Sequence, residues 1–157
     1  MSGLGWKKIL GPVDFSVTSE SALRFASTLA RDLGAELTLL HVRTIPGSSI
    51  PEGMFEPASE LTHDSSAPTD QPLASWKTVA EKHGARHVEA LTSVGDPADE
   101  ITALARRGAF DAIVIATHGR TGLKHAILGS VAEKVVRLAP CVVVSMTAEA
   151  ASRVGSP

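Results

Sequence analysis

The chain alternates short runs of aliphatic and β-branched residues with stretches that have the apolar spacing of α-helices. Five runs are predicted to be β-strands: Trp6–Val13, Leu37–Val42, Arg86–Val94, Ala112–Ala116 and Cys141–Met146. The second is apolar on both faces except at His41, where we expect a polar group at a strand end, and such burial is typical of a central parallel strand. This alternation predicts an α/β fold in which a five-stranded parallel sheet carries helices on both faces, joined by right-handed crossovers.

The segments between the strands carry start and stop signals of helices. In the first, apolar residues recur at helical spacing from Ala22 to Leu33, and Gly34 follows where a left-handed cap is expected. Its candidate N-caps are Ser16, Thr18 and Ser19. The other predicted helices run from about Asp70 to Gly84, from the N-cap Asp96 and Pro97 to Gly108, and from Ser130 to Leu138.

Two segments fall outside this pattern. The stretch from Thr44 to Thr69 is rich in proline and serine and has no periodicity, which predicts a mobile or functional loop. The tail over residues 147–157 is predicted to be disordered. We therefore expect a single domain over residues 1–157, with its core from about residue 6 to residue 146 and with no internal repeat.

The composition argues against several classes of partner. A net charge of -2 and 4% aromatic residues do not favour a nucleic-acid or acidic membrane surface. No apolar run is long enough to cross a bilayer, and the N-terminus has no signal-like segment. The single cysteine, Cys141, cannot form an internal disulfide and is expected to be a small buried residue. These features predict a cytoplasmic protein without nucleic-acid or membrane partners.

The segment after the fourth strand has the features of a phosphate-binding loop. Ala116-Thr117-His118-Gly119 is followed, after nine residues, by Gly129-Ser130 at the start of the last predicted helix. Glycines let the backbone approach a ligand closely, and N–H groups at a helix N-terminus favour phosphate oxygens. No acidic residue lies between positions 112 and 132, whereas four basic side chains do: His118, Arg120, Lys124 and His125.

A second candidate element is Pro12-Val13-Asp14, at the end of the first strand. Ligands of open parallel sheets bind beyond the carboxyl ends of the strands, at the point where the strand order reverses. If the strand order is 3-2-1-4-5, that point lies between the first and fourth strands, and Asp14 would share one crevice with the phosphate loop. The motifs of P-loop NTPases, dinucleotide-binding Rossmann domains and serine hydrolases are absent, as is any metal-ligand spacing.

Several motifs, taken together and in order, resemble the universal stress protein family. They are Pro12–Ser16, Leu40–Val42, Gly95–Pro97, Thr117–Gly122, Gly129–Glu133 and Ala139–Val144. The resemblance runs from about Trp6 to Met146 and leaves out the loop after Thr44. It implies a Rossmann-like fold of the adenine nucleotide alpha-hydrolase type with strand order 3-2-1-4-5, and usually a homodimer.

In family members that bind ATP, the motif is Gly-x-x-Gly, nine residues, then Gly-Ser or Gly-Thr. The resemblance implies that Gly119 is the second glycine and that Gly129 and Ser130 are the final pair, lining the phosphates with Val131. Ala116 stands in place of the first glycine. An alanine methyl fits there provided that φ is negative. Binding is weakened if φ must be positive or if the ligand needs the space that glycine, having no Cβ atom, leaves free.

The same resemblance implies that Asp14 holds the ribose hydroxyls and that the backbone of Val42 meets adenine. Mg²⁺ would bridge phosphate oxygens rather than occupy a cage of protein side chains. The complete predicted nucleotide-binding site is Pro12, Val13, Asp14, Val42, Ala116, Thr117, His118, Gly119, Arg120, Gly129, Ser130 and Val131.

The candidate site residues also have ordinary structural explanations. His118 could form hydrogen bonds only within its own loop, and Arg120 and Lys124 could be solvated surface charges. Gly119 and Gly122 suit turns, and Asp14 suits the cap of the turn into the first helix. Ser130 and Glu133 form a Ser-x-x-Glu capping-box pattern, which needs no ligand.

The sequence leaves more than one class of function open. One is a nucleotide-binding stress-response protein that binds ATP, ADP or AMP with slow hydrolysis or none, since the motif loop has no evident base to activate water. Another is a dimeric interaction protein that binds no nucleotide and pairs antiparallel through its edge strand Cys141–Met146. An adenylyl-transfer enzyme would need a substrate pocket and catalytic cations that the sequence does not indicate.

Overall fold

A computed structural model describes residues 4–44, 71–117, 128–147, 149–150 and 153. The strands are β1 (Lys8–Pro12), β2 (Glu36–Arg43), β3 (Val88–Val94), β4 (Ala112–Ala116) and β5 (Val142–Met146). The helices are α1 (Val17–Leu33), α2 (Gln71–Lys82), α3 (Pro97–Arg107) and α4 (Ser130–Leu138). All strand pairs are parallel, in the order β3-β2-β1-β4-β5, so the predicted fold class and strand order are confirmed.

Helices cover both faces of the sheet. On one face, Ile9, Leu39 and Val114 form a core with residues of α1 and α2. On the other face, Leu10 and Ile113 belong to a core with residues of α3 and α4. Because successive strand residues point to opposite faces, the central strands are apolar on both sides and the helices must come as two layers.

The pairing of β1 with β2 sets Gly11 opposite Leu39. A Cβ atom on Gly11 would lie 3.5 Å from Leu39 Cδ2 and 3.7 Å from Leu37 Cδ1, which are ordinary contact distances. The two leucine side chains of β2 therefore cover the backbone of β1 at a position that has no side chain of its own.

Both ends of α1 follow local signals. Of the three candidate N-caps, Ser16 is the residue used, and its Oγ accepts the N–H of Ser19 at 3.1 Å. Gly34 ends the helix with φ +65°, the left-handed conformation that its sequence position predicts. The turn before α1 is thereby fixed where the first strand reaches the end of the sheet.

The start of α3 is tied to α4. Asp96 is the predicted N-cap and accepts the N–H of Asp99 at 3.0 Å. Lys134 of α4 contacts the carboxylates of Asp96 at 3.2 Å and Asp99 at 2.8 Å. Although partial burial acts to raise it, the Asp99 N–H and the Lys134 ammonium group hold the pKa of Asp96 below its usual value. These contacts tie the start of α3 to the second turn of α4.

The predicted loop after Thr44 lies outside the described residues, as does most of the predicted disordered tail. In the described part of that tail, Thr147 Oγ1 accepts the N–H of Ala150 at 3.1 Å, and Ala150 packs against the core under α1 and α2. Every helix in the described ranges is too short or too polar to cross a bilayer. Cys141 is half-buried against the core under α3 and α4, and burial raises the pKa of its thiol.

Candidate ligand-binding cleft

A cleft of about 370 Å³ opens beyond the carboxyl ends of β1, β2 and β4. Its walls come from the turn after β1, the ends of β2 and β4, and the first turns of α3 and α4. β1 and β4 are the neighbours between which the strand order reverses, the usual ligand position in such sheets. The volume falls within the range of roughly 300–1,000 Å³ that is typical of small-molecule sites.

The structure brings most of the predicted site residues together around this cleft. They are Pro12, Val13, Asp14, Val42, Ala116, Thr117, Gly129, Ser130 and Val131. The other three, His118, Gly119 and Arg120, lie outside the described residues, as do Lys124 and His125. That the assembled residues bind a nucleotide stays a prediction.

Three hydrogen bonds hold the turn after β1. The N–H of Val13 donates to Leu40 O at 2.9 Å, and the N–H of Asp14 donates to Ser19 Oγ at 3.2 Å. Asp14 Oδ1 accepts the N–H of Ser16 at 3.0 Å, so the turn-capping role suggested for Asp14 is confirmed. No donor of the described residues contacts the other carboxylate oxygen, Oδ2, which leaves it available to a ligand in the cleft.

Phe15 gives this turn an unusual backbone. Its φ is +64°, a left-handed conformation that costs a non-glycine residue roughly 1–2 kcal/mol. The Phe15 ring lies 4.4 Å from the His41 ring and 5.3 Å from the Trp76 ring, between ring centroids. His41 Nδ1 lies 3.0 Å from Val13 O, and it must carry the proton because a carbonyl oxygen only accepts. These contacts offset the strain and hold the turn in one conformation.

The N-terminus of α4 faces the cleft, and no side chain of the described residues caps it. Gly129 is the N-cap, with φ -68° and ψ 155°, and its own N–H donates to Thr117 O at 2.6 Å. The suggested Ser130–Glu133 capping box is therefore wrong, because Ser130 is already inside the helix. The N–H groups of Ser130, Val131 and Ala132 have no acceptor within the helix, and all three residues line the cleft. The positive end of the helix dipole thus points at the ligand space.

The end of β4 forms the wall between these two elements. Thr117 is buried, and its N–H donates to Met146 O at 2.9 Å. Ala116 is part of β4, and the described non-glycine residues with positive φ are Phe15 and Ala109. The backbone condition set for Ala116 is therefore met, because Ala116 lies in extended strand backbone. Whether a ligand needs the space that its methyl group takes stays a prediction.

Sequence reasoning missed other residues that line the cleft: Ser19, Leu40, Thr44, Pro97, Ile101, Ile115 and Ala132. The sequence predicts that Pro97 and Ile101 lie in a helix. It does not predict that they line the cleft, because that depends on how α3 crosses the sheet. With Val42 they make one side of the cleft apolar. Asp14 is the titratable side chain among the described lining residues. The cleft therefore suits a ligand with an apolar group on the side of Val42, Pro97 and Ile101 and an anionic group at the start of α4.

Comparison with known proteins gives a consistent result. The model of the family described as the universal stress protein family matches residues 5–145. Universal stress protein MJ0531 of Methanocaldococcus jannaschii is 37% identical over 139 residues, which are 87% of this chain and 79% of that protein. Universal stress protein YxiE of Bacillus subtilis is 32% identical over 141 residues, which are 87% and 95% of the two chains.

Solved structures agree with the sequence comparison. That of MJ0577, also from Methanocaldococcus jannaschii, has a TM-score of 0.73 at 32% identity and covers 92% of this chain and 97% of its own. The universal stress protein from Archaeoglobus fulgidus, solved in complex with dAMP, has a TM-score of 0.62 at 26% identity, with 91% and 99% of the chains covered.

Proposed function

The chain belongs to the universal stress protein family, and from that premise we propose that it binds an adenine nucleotide, ATP above all, in the cleft between β1 and β4. The observation that carries the proposal is the meeting of Asp14, an apolar wall and the uncapped start of α4 in one cleft. The Archaeoglobus fulgidus relative crystallised with dAMP supports the choice of adenine.

In the proposed arrangement, the base lies against the apolar side of the cleft formed by Val42, Pro97 and Ile101. The ribose hydroxyls donate to Asp14, whose Oδ1 stays engaged with the N–H of Ser16. The phosphates accept hydrogen bonds from the N–H groups at the start of α4, where the helix dipole favours negative charge. Each part of the nucleotide then meets the chemistry it needs.

We further propose that Mg²⁺ accompanies the triphosphate. The described residues contain no cluster of three or more carboxylate, histidine or cysteine side chains that could hold a metal ion. Asp14 is a single carboxylate, and one of its two oxygens is already committed to the turn. This donor set fits an ion bound through phosphate oxygens and water, as is usual for Mg²⁺ with nucleotides.

The proposed role is regulatory binding in a stress response, with slow hydrolysis or none. Apart from Asp14, the described part of the cleft has no side chain that could act as a general base. A site that holds the ground state without stabilising a transition state does not accelerate hydrolysis.

The direct test is to look for bound nucleotide. Purified protein is denatured, the released small molecules are separated by chromatography, and equilibrium dialysis against millimolar ATP with Mg²⁺ follows. Adenine nucleotide released from the protein, or saturable uptake in dialysis, is the expected result. No uptake of ATP at millimolar concentration would overturn the proposal and favour the alternative function, a dimeric interaction protein that binds no nucleotide.

Asp14→Ala is expected to weaken ATP binding about tenfold to hundredfold. A hydrogen bond to a charged acceptor contributes roughly 1.5–3 kcal/mol, and the alanine offers no acceptor to the ribose. Calorimetric titration measures the dissociation constant. Ser16→Ala is the matched control, because it loses the α1 cap but keeps the Asp14 carboxylate. Equal affinities of Asp14→Ala and the unmodified protein would contradict the ribose assignment.

We propose in addition that two copies associate through the edge strand β5. β5 is the last strand of the sheet, and Val142 is 49% exposed on it. Val136 and Leu138 of α4, which leads into β5, are 49% and 42% exposed. An apolar edge of this kind needs cover, and antiparallel pairing about a two-fold axis would supply it.

Sedimentation at micromolar concentration is expected to give a dimer, and Val142→Lys is expected to shift it to the monomer. Lysine on an edge strand opposes strand pairing by charge and by length. Val17→Lys is the control, since Val17 is 83% exposed at the start of α1, away from β5. A monomer in the unmodified protein would rule out the proposed pairing.

A further inference from the structure

One residue that does not line the cleft, His41, contacts both chain neighbours of Asp14. His41 Nδ1 donates to the carbonyl of Val13 at 3.0 Å, on the N-terminal side of Asp14. The His41 ring lies 4.4 Å from the ring of Phe15, on the C-terminal side. The residue between these two contacts is the one proposed to hold the ribose.

His41 reaches this position from the opposite face of the sheet. Its neighbour Val42 lines the cleft, and successive residues of a strand point to opposite faces. The His41 side chain accordingly meets Phe15, which packs with Trp76 of α2 at 5.3 Å on the other face. His41 thus contacts the turn from the face of the sheet opposite the cleft, and it is not among the residues that line the cleft.

We propose that His41 is a positioning residue that sets the Asp14 carboxylate for the ribose hydroxyls, an inference that rests on the nucleotide-binding function proposed above. The left-handed backbone of Phe15 turns the chain directly after Asp14, and it persists where surrounding contacts fix it. The hydrogen bond to Val13 fixes the preceding peptide unit. With both neighbours held, the Asp14 carboxylate keeps one orientation before the ligand arrives, which lowers the ordering cost of binding.

The test separates the hydrogen bond from the ring and the ribose from the rest of the nucleotide. His41→Phe keeps an aromatic ring beside Phe15 but loses the donor, whereas His41→Asn places an N–H group near the Nδ1 position but loses the ring. Each variant is titrated with Mg-ATP and with Mg-2′,3′-dideoxy-ATP, which lacks both ribose hydroxyls. The matched control is His87→Phe, because His87 is exposed and precedes β3 at the amino ends of the strands, the end of the sheet opposite the cleft.

His41→Phe is expected to weaken ATP binding about five- to tenfold and dideoxy-ATP binding less than about twofold. His41→Asn is expected to recover most of the ATP affinity. In an Asp14→Ala background, His41→Phe is expected to have no further effect, because the group it positions is gone.

Equal losses for both nucleotides, or an undiminished effect of His41→Phe in the Asp14→Ala background, would overturn the inference while leaving nucleotide binding in place. If the unmodified protein binds neither nucleotide, the proposed function fails and the inference fails with it. Circular dichroism checks that each variant is folded. If His41→Phe does not fold, His41→Leu, which also lacks the donor to the Val13 carbonyl, takes its place in the same titrations with the same expected losses.

Discussion

Replacing Gly129 with aspartate is expected to abolish ATP binding while slightly stabilising the fold. Gly129 is the N-cap of α4, and its extended backbone suits the aspartates that commonly cap helices. The new carboxylate would accept hydrogen bonds from the N–H groups now facing the cleft, and its charge would repel the phosphates. We expect a loss of roughly 100-fold or more in affinity, because like charges in contact cost several kcal/mol.

Gly129→Asp is informative because it is expected to weaken ATP binding while it raises the free energy of unfolding. The aspartate cap is expected to add a few tenths to about 1 kcal/mol to the free energy of unfolding, through capping and the helix dipole. Calorimetric titration with Mg-ATP measures binding, and urea denaturation measures unfolding. Gly129→Asn is the matched control, since asparagine caps as well as aspartate but adds no charge. If Gly129→Asp binds ATP as tightly as the unmodified protein, the phosphates do not lie at the start of α4.

Leu39→Ala is expected to lower the free energy of unfolding by about 3–4 kcal/mol. Leu39 is fully buried in β2, and removing buried leucine side chains costs roughly 2–5 kcal/mol, more when the cavity cannot collapse. Here it cannot, because the facing residue on β1 is Gly11. The corresponding drop in the midpoint of thermal unfolding is roughly 10 °C.

The double variant Gly11→Ala, Leu39→Ala tests that explanation. A methyl group on Gly11 would stand at contact distance from the Leu39 side chain, so it partly fills the space that the leucine vacates. Gly11→Ala is therefore expected to stabilise the Leu39→Ala protein by about 1 kcal/mol more than it stabilises the unmodified protein. Urea denaturation at equal protomer concentration measures the four proteins. Strict additivity of the two changes would show that the cavity does not lie over Gly11.

Local sequence signals predicted the elements well because the physics behind them is local. Gly34 ends α1 through its own backbone freedom, and Asp96 caps α3 through a residue three positions away. The strand order came from the family resemblance rather than from periodicity. Given that order, the switch point placed Asp14 near Ala116, since Asp14 follows β1, Ala116 ends β4, and these two strands pair with each other.

The details that the sequence did not predict depend on residues far apart in the chain. The first strand was expected from Trp6 but begins at Lys8, since the N–H groups of Lys7 and Lys8 bond to Asp111 Oδ2 at 2.7 and 2.9 Å. Those two donors also hold the pKa of Asp111 below its usual value.

In the cleft, too, the details that the sequence did not predict depend on residues far apart in the chain. The left-handed φ of Phe15 is maintained by His41, which comes from another strand. The Ser130–Glu133 pattern looked like a capping box, but Gly129 takes the cap position and bonds to Thr117 instead. Local sequence patterns cannot predict these contacts, because the partners are far apart in the chain.

A ligand that binds in the cleft would also stabilise the folded state of the protein. Pro12 and Ala132 both line it, and residues so distant in sequence become neighbours only after the central parallel strands have paired. An unfolded chain or a fragment that ends before α4 has no such site, so a molecule bound there binds the native state alone. By linkage, a ligand at about a hundred times its dissociation constant would add about 2.7 kcal/mol against unfolding. Rising ligand concentration in a cell would then lengthen the lifetime of this protein.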